Sequence, residues 1–416
     1  MTRYLRERTL FPPLLSEEPS SALNLVVVIP AKDEPELVSS LESLRACEKP
    51  ECAVEIIVVV NNGETDTSEC VQINAEIAAG AKKWAELNST PDRRFFVLHQ
   101  QQLPKKHAGV GLARKIGMDE ACRRLEAVEN HEGVIVCFDA DSRCDPNYLI
   151  EIDQLFRRNP ECQASSIYIE HPTSGTEFSQ DVYDGIVFYE LHLRYYVGML
   201  KKIGFPFAIQ TIGSAIAVRN NAYQAQNGMN RKKAGEDFYF LHKFTPLNAV
   251  EELNSTRVIP SPRISDRVPF GTGKAVGDWI ESGKDSYTTY AWKSFIDLQR
   301  LIEGFRGLYL LESGSQDSWF AELPESLRSF LQPDDFWTRI VEIRSNSTSQ
   351  AQFELRFFRW FNAFQVMKYL NHAREHFYPN DDVVTATQRL LGSESGSARD
   401  LLKAMRQRDR FGLDQN

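Results

Sequence analysis

Two carboxylates one residue apart, Asp139 and Asp141, follow directly on the apolar run 134–138. Side by side where a buried strand ends, they are costly unless a cation neutralises them. A hard divalent ion, Mg²⁺ or Mn²⁺, would do so through oxygen ligands and would also grip substrate phosphates. The bland alternative is a solvated loop before a helix, which Asp145-Pro146 starts. A second acidic pair, Glu236-Asp237, offers a carboxylate to accept a proton, although such residues also favour the first turn of a helix. In the Pro/Gly/Arg-rich stretch 257–274, Arg263, Arg267 and Lys274 flank Gly271-Thr272-Gly273, whose bare amides suit phosphate oxygens. The spacing is not that of a P-loop. His372 and His376 spell a His-x-x-Glu-His pattern with Glu375. Zinc peptidases of that pattern need a further acidic ligand downstream, and only a short polar tail follows, so no zinc site is expected.

Elements must hold these groups in place. Residues 25–30 and 56–60 are continuous β-branched runs, 95–98 is a shorter apolar run, and 134–138 leads into Asp139. Between them lie helical patterns over about 35–46, 66–87 and 109–127. Strand and helix alternating in this way predict a parallel sheet wrapped by helices, with ligands beyond the carboxyl ends of the strands. The polar clusters Lys32-Asp33-Glu34, Asn61-Asn62-Gly63 and Asp139-Ala140-Asp141 all fall there. Past about 165 the pattern is mixed, with a strand over 214–218, a short helix over 236–244 and a loop over 257–274. From about 280 the chain reads as helical, broken near 345–351. Phe353, Phe357, Phe358, Trp360, Phe361 and Phe364 recur at helical spacing, as in a buried helix.

A chain of 416 residues with 42% hydrophobic and 25% charged residues has ample material for a core. Its net charge of -9 argues against a general nucleic-acid binder. Seven scattered cysteines without Cys-x-x-Cys pairs form neither a disulfide framework nor a zinc ribbon, so reduced thiols in a cytoplasm are expected. No signal peptide and no membrane span are legible, the latter for want of about 18 uncharged apolar residues in a row.

Taken together, the motifs resemble the family-2 glycosyltransferases of the GT-A fold over roughly residues 24–245. Residues 28–34 (Val-Ile-Pro-Ala-Lys-Asp-Glu) look like the family's opening strand and acidic turn. Residues 57–66 are similar to its second strand, whose usual ending is Asp-Asp-Gly-Ser-Thr-Asp. Residues 109–118 resemble the glycine-led helix with Ala-Arg-Asn-x-Gly, 136–141 the strand carrying the metal-binding Asp-x-Asp, and 235–238 the later Glu-Asp motif. Residues 211–219 look like the strand before the acceptor-side loop.

The resemblance implies a GT-A, Rossmann-like, mostly parallel sheet flanked by helices, with a helical C-terminal region. It implies an N-terminal extension over 1–23, a catalytic domain over 24–280 and the helical region over 281–416. Within the catalytic domain, 24–145 would bind the nucleotide sugar and 146–280 would supply the acceptor side and the base. The implied reaction is inverting, Mg²⁺- or Mn²⁺-dependent transfer from a nucleotide-diphosphate sugar to an unidentified acceptor, soluble or delivered by a partner. Pro30, Glu34 and Asn62 would contact the nucleotide, with Arg114 and Lys115 near the donor. Asp141 would hold the metal, with Asp139 at the ribose or the metal's water. Asp237 would be the base and Glu236 its orienting neighbour; apart from the resemblance, the residues of 257–274 themselves suggest that Arg263 and Arg267 sit on a lid that closes over the diphosphate. Asn62 stands where the family commonly has aspartate, which leaves the base of the donor open. Two other readings stand beside this one. A catalytically silent GT-A-like scaffold has Asn61-Asn62 as the one feature in its favour, and the retained Asp139, Asp141, Glu236 and Asp237 against it. A sugar-1-phosphate nucleotidyltransferase is disfavoured, because residues 30–34 are not a Gly-rich phosphate loop.

Overall fold

The computed structural model describes residues 2–283 and 286–412. The chain forms two compact units, one of residues 1–183 with 210–275 and one of residues 184–209 with 276–416.

The first unit holds α1 (Arg3–Glu7), β1 (Leu23–Ala31), α2 (Leu37–Arg45), β2 (Ala53–Gly63), α3 (Ser68–Asn88), β3 (Arg93–Leu103) and α4 (Val110–Ala127). These are followed by β4 (Val134–Cys137), β5 (Arg143–Cys144), α5 (Tyr148–Arg158), β6 (Ala164–Ile169) and the start of α6 (Gln180–Lys202). After α6 come β7 (Ile216–Arg219), α7 (Asn220–Ala225), α8 (Glu236–Leu241), β8 (Val250–Ile259) and the start of α9 (Thr272–Glu281). The eight strands form one sheet in the order β3-β2-β1-β4-β7-β6-β8-β5. β3, β2, β1 and β4 run parallel, as do β6 and β8; β7 is antiparallel to both its neighbours and β5 to β8. This mostly parallel sheet flanked by helices is consistent with a GT-A, Rossmann-like fold.

Every residue of β2 is buried, and Leu25 through Ile29 of β1 are fully covered. Their unbroken β-branched sequences answer to a sheet covered on both faces. Leu25, Val27 and Ile29 share a cluster with Leu37, Leu41 and Leu44 of α2, Ala78 and Ala81 of α3, and Ile152 of α5. On the opposite face α4 lies close to the sheet: a Cβ at Gly117 would stand 2.4 Å from Val28 Cγ1.

The structure extends some expected elements and adds others. β3 runs on to Leu103 past its apolar run, carried by main-chain pairing to β2 through a polar tail. The expected loop over 257–274 is shorter, because 257–259 end β8 and Thr272 opens α9. Residues 180–202, read as mixed, form a 23-residue helix.

In the second unit the remainder of α6 is joined by α10 (Trp292–Gly304), α11 (Gln316–Ala321), α12 (Glu325–Leu331), α13 (Pro333–Ser345), α14 (Gln350–Trp360), α15 (Ala363–His376), α16 (Val383–Leu391) and α17 (Ala398–Phe411). A two-stranded ribbon, β9 (Thr288–Thr289) with β10 (Asp381–Asp382), interrupts the helical series. Phe353, Phe357 and Phe358 of α14 are buried, and Phe357 stacks on Phe305 at 4.8 Å. His372 faces Ser329 at 3.2 Å, and no group of three or more potential metal ligands occurs among the described residues. No described helix is long and apolar enough to cross a membrane.

Candidate functional site

β1 and β4 are adjacent parallel strands, paired from Leu25–Val134 to Val28–Cys137. The turns at their carboxyl ends therefore lie side by side, which brings Glu34 to Asp139 and Asp141. The Lys32-Asp33-Glu34 turn is locally strained: Asp33 has φ 51°, and its amide donates to Asn74 Oδ1 of α3 at 2.7 Å. A non-glycine residue in this left-handed region marks a conformation imposed by its surroundings.

Two arginine-centred groups meet here. In the first, Arg263 Nε donates to Asp141 Oδ2 at 2.9 Å while its Nη2 bonds Glu34 Oε2. Arg267 Nη2 adds a second bond to the same Glu34 oxygen at 3.0 Å, and its Nη1 reaches the Lys32 carbonyl at 2.5 Å. The other Glu34 oxygen, Oε1, is buried without a partner among the described residues. Burial, and then Asp141, push the Glu34 carboxyl up to about 8, with Arg263 pulling the other way.

The second group is built on α4. Arg114, 1% exposed, donates through Nη2 to Asp139 Oδ1 at 2.6 Å and through Nη1 to Glu236 Oε1. Burial alone would lower its pKa; Asp139 and Glu236 more than offset that, so its charge is fixed. A Cβ at Gly111 would fall 2.2 Å from the Lys232 carbonyl, so the first turn of α4 is pressed against the chain leading into α8. Gly235, in the left-handed region at φ 69°, turns the chain into α8 and sets Glu236 and Asp237 in its first turn. Asn230 Nδ2 holds the Glu236 carbonyl at 2.9 Å, and the Phe238 amide donates to Asp237 Oδ1 at 2.7 Å. Burial, then Glu236, raise the Asp237 carboxyl to about 7, and burial likewise raises Asp139 against the pull of Arg114.

Of the residues singled out from the sequence, Glu34, Arg114, Asp139, Asp141, Glu236, Asp237, Arg263 and Arg267 come together. Five carboxylates thus face three guanidinium groups. Asn62 lies at the end of β2, its Oδ1 3.1 Å from His99 Nε2 of β3, and Pro30 is within β1. Lys115 lies apart from the eight: its ammonium bonds Tyr4 Oη at 3.0 Å and Asp119 at 3.0 Å.

The sequence flagged Gly213, Lys32 and Asp66 only as members of motifs, without these contacts, and did not flag His99 at all. A Cβ at Gly213 would stand 2.9 Å from Arg114 Nη2 and 3.2 Å from Asp237 Oδ2, so the absent side chain makes room for both groups. Lys32 pairs with Asp66 at 2.7 Å, and Asp66 in turn accepts the Gly63 amide at 2.8 Å. His99 had no motif to flag it; its place directly after the apolar run of β3 was the only available signal.

The donor set suits a hard cation in an open site. Asp139 and Asp141 supply oxygen only, and the acidic excess favours positive charge. No described group of three or more acidic, histidine or cysteine side chains closes a cage around an ion, so other ligands would have to come from water or substrate oxygen. Asp141 Oδ2 is engaged by Arg263, so an ion there shares or replaces that contact.

No family model matches the chain, and no curated protein does. Among solved structures, S. aureus TarS 1-349 in complex with UDP-GlcNAc is similar at 16% identity and a TM-score of 0.40, over 78% of this chain and 93% of that one. The mannosyltransferase PcManGT from Pyrobaculum calidifontis, in complex with GDP-Man and Mn²⁺, is similar at 15% identity and a TM-score of 0.35, over 90% and 91%. At such distance the likeness assigns neither a family nor a donor.

Proposed function

We propose that the chain is a glycosyltransferase of the family-2 kind, which transfers a sugar from a nucleotide-diphosphate donor to an acceptor hydroxyl with inversion. The observation that carries this reading is the convergence of Glu34, Asp139, Asp141, Glu236 and Asp237 with Arg114, Arg263 and Arg267 at the carboxyl edge of the sheet.

Asp237 is the base: raised to about 7, its carboxyl is matched to taking the acceptor's proton near neutral pH. Glu236, tied to Arg114 and with its carbonyl held by Asn230, fixes the turn that presents Asp237. Arg114 also anchors Asp139, so the base and the acidic loop are positioned by one guanidinium. Asp139 and Asp141 would hold Mg²⁺ or Mn²⁺, which when bound neutralises the charge that develops on the leaving diphosphate. Arg263 and Arg267 bind Glu34 and could offer the same guanidinium forks to donor phosphates. Pro30 and Asn62 line the nucleotide end of this reading, and the domain limits proposed from the sequence go with it.

The test is turnover: the protein incubated with UDP-, GDP- and other nucleotide sugars plus Mn²⁺, with release of nucleoside diphosphate as the readout. Release from one donor class, lost in Asp237→Asn while nucleotide binding persists, is expected. One observation favours the silent binding protein instead: Asp141 and Glu34 are already paired with arginine. Nucleotide binding without turnover of any donor would select that reading.

A further inference from the structure

Below the acidic loop, Cys47 and Cys144 place their sulfur atoms 3.5 Å apart, although 97 residues separate them in the chain. We propose that Cys47 and Cys144 are a reactive dithiol, which a low-molecular-weight disulfide oxidises to an intramolecular bond between the end of α2 and β5. This inference does not rest on the glycosyltransferase reading.

Three features set the pair apart from the other five cysteines. First, the two backbones are already tied. The Cys144 amide donates to Ser43 Oγ of α2 at 2.9 Å, and the same oxygen lies 3.5 Å from Cys144 Sγ. One turn earlier, Ser40 Oγ donates to the Ala140 carbonyl at 2.8 Å. A bond of about 2.05 Å therefore needs closure of roughly 1.5 Å between two thiols whose scaffolds are fixed. Second, Arg93 of β3 spreads its guanidinium over the end of α2, donating to the carbonyls of Leu44 at 3.1 Å, Arg45 at 2.5 Å, Cys47 at 2.9 Å and Glu48 at 3.2 Å. A fixed positive charge thus stands beside Cys47. Third, Cys47 is the one thiol of the seven with a lowered pKa, owing to its hydrogen bond with Cys144, then to Arg93, against the effect of burial, while that same hydrogen bond, then burial, raise Cys144. Burial pushes Cys52, Cys137 and Cys162 up to about 12 and raises Cys70 and Cys122 as well.

The chemistry balances without a further reactant. The Cys47 thiolate attacks one sulfur of the small disulfide, forms a mixed disulfide and expels one small thiolate. The Cys144 sulfur then attacks Cys47 Sγ, the protein bond forms and the second small thiolate leaves. The two protein thiol protons end on the two small thiols released. The reagent is reduced by the two electrons that the protein loses. The new bond would join α2 covalently to a strand that begins two residues after Asp141. Oxidation then adds a covalent tie beneath the acidic loop, beside the hydrogen bonds that Ser40 and Ser43 already make there.

The full chain is incubated with glutathione disulfide at neutral pH, remaining thiols are alkylated, and the digest is mapped by mass spectrometry. The expected product is a Cys47–Cys144 linked peptide, an intact mass lower by two hydrogens, and full reversal by dithiothreitol; Cys47→Ser and Cys144→Ser each lose the linked peptide. Persistence of both thiols under conditions that oxidise the urea-unfolded chain would overturn the proposal. So would a link that joins any other pair in the folded protein.

Discussion

The first unit contains two buried ionic clusters at opposite ends of the same strands, and they are built to different rules. Near the start of β2, Glu55 is 1% exposed and both of its oxygens are occupied: Oε1 by Arg94 and by Arg124 at 2.8 Å, Oε2 by Arg124 Nε. Glu55 and Arg94 are register partners in adjacent strands, so sheet pairing alone delivers the contact. At the carboxyl end the balance is reversed. Five carboxylates share three arginines, Glu34 Oε1 and Arg114 Nε are buried without partners among the described residues, and Glu34, Asp139 and Asp237 are all raised. A saturated cluster holds strands together; an unsaturated one keeps binding capacity in reserve for a ligand.

Substitutions at the two ends should separate these roles. The largest effect is expected at the proposed base: Asp237→Asn should lower kcat by about 10²–10⁴-fold with little change in nucleotide affinity, read by turnover and by titration with the nucleoside diphosphate. Next, Glu55→Ala should cost about 3–5 kcal/mol of stability, because it leaves two guanidinium groups without their carboxylate. Denaturant unfolding would measure that loss, while kcat of the protein still folded should be unchanged; a comparable fall in kcat would erase the distinction between the clusters. A smaller effect is expected for Arg263→Gln: about tenfold weaker donor binding, or about 1.4 kcal/mol, with global stability nearly unaffected.

A further effect concerns pH. The folded protein holds a proton on Glu34 up to about 8, whereas the ordinary carboxyl releases it near 4.5. The native state thus binds more protons across that window, and stability conferred by this group falls as pH rises from 4.5 to 8. Thermal melts of the unliganded protein should show the decline, and Glu34→Gln should flatten it.

The parts of this arrangement legible in the sequence are those written locally. β1, β2 and β4 announce themselves as continuous β-branched runs, and Asp139 and Asp141 gain meaning from standing where β4 ends. β3 was cut short because its second half, His-Gln-Gln-Gln-Leu, has no apolar pattern and is held by main-chain pairing. α6 was missed because aromatic and charged residues are interleaved along it, which blurs the helical period. The charges of α4 could equally have been solvated, yet Arg114, Lys115, Asp119, Glu120 and Arg124 are all buried. What covers several of them is the N-terminal segment: the amides of Leu14 and Leu15 bond Glu120, Arg124 reaches the Glu17 carbonyl, and Tyr4 Oη bonds Asp119. The contact of Arg263 with Asp141 spans 122 residues, and no local periodicity encodes it. The role of Gly213 was invisible for another reason: its contribution is the side chain it lacks.

The central claim is that Asp141 and its neighbours form a cation-dependent diphosphate site. Its most direct test is thermal unfolding of wild type and Asp141→Ala with a panel of nucleoside diphosphates, each with and without Mn²⁺. Binding to the native state raises its stability by RT ln(1 + [L]/Kd), so a ligand at about 100 Kd contributes about 2.7 kcal/mol. One nucleotide class should raise the melting temperature of the wild type in the presence of Mn²⁺, and that metal-dependent increment should vanish in Asp141→Ala. Equal metal-dependent increments in the two proteins would contradict the account.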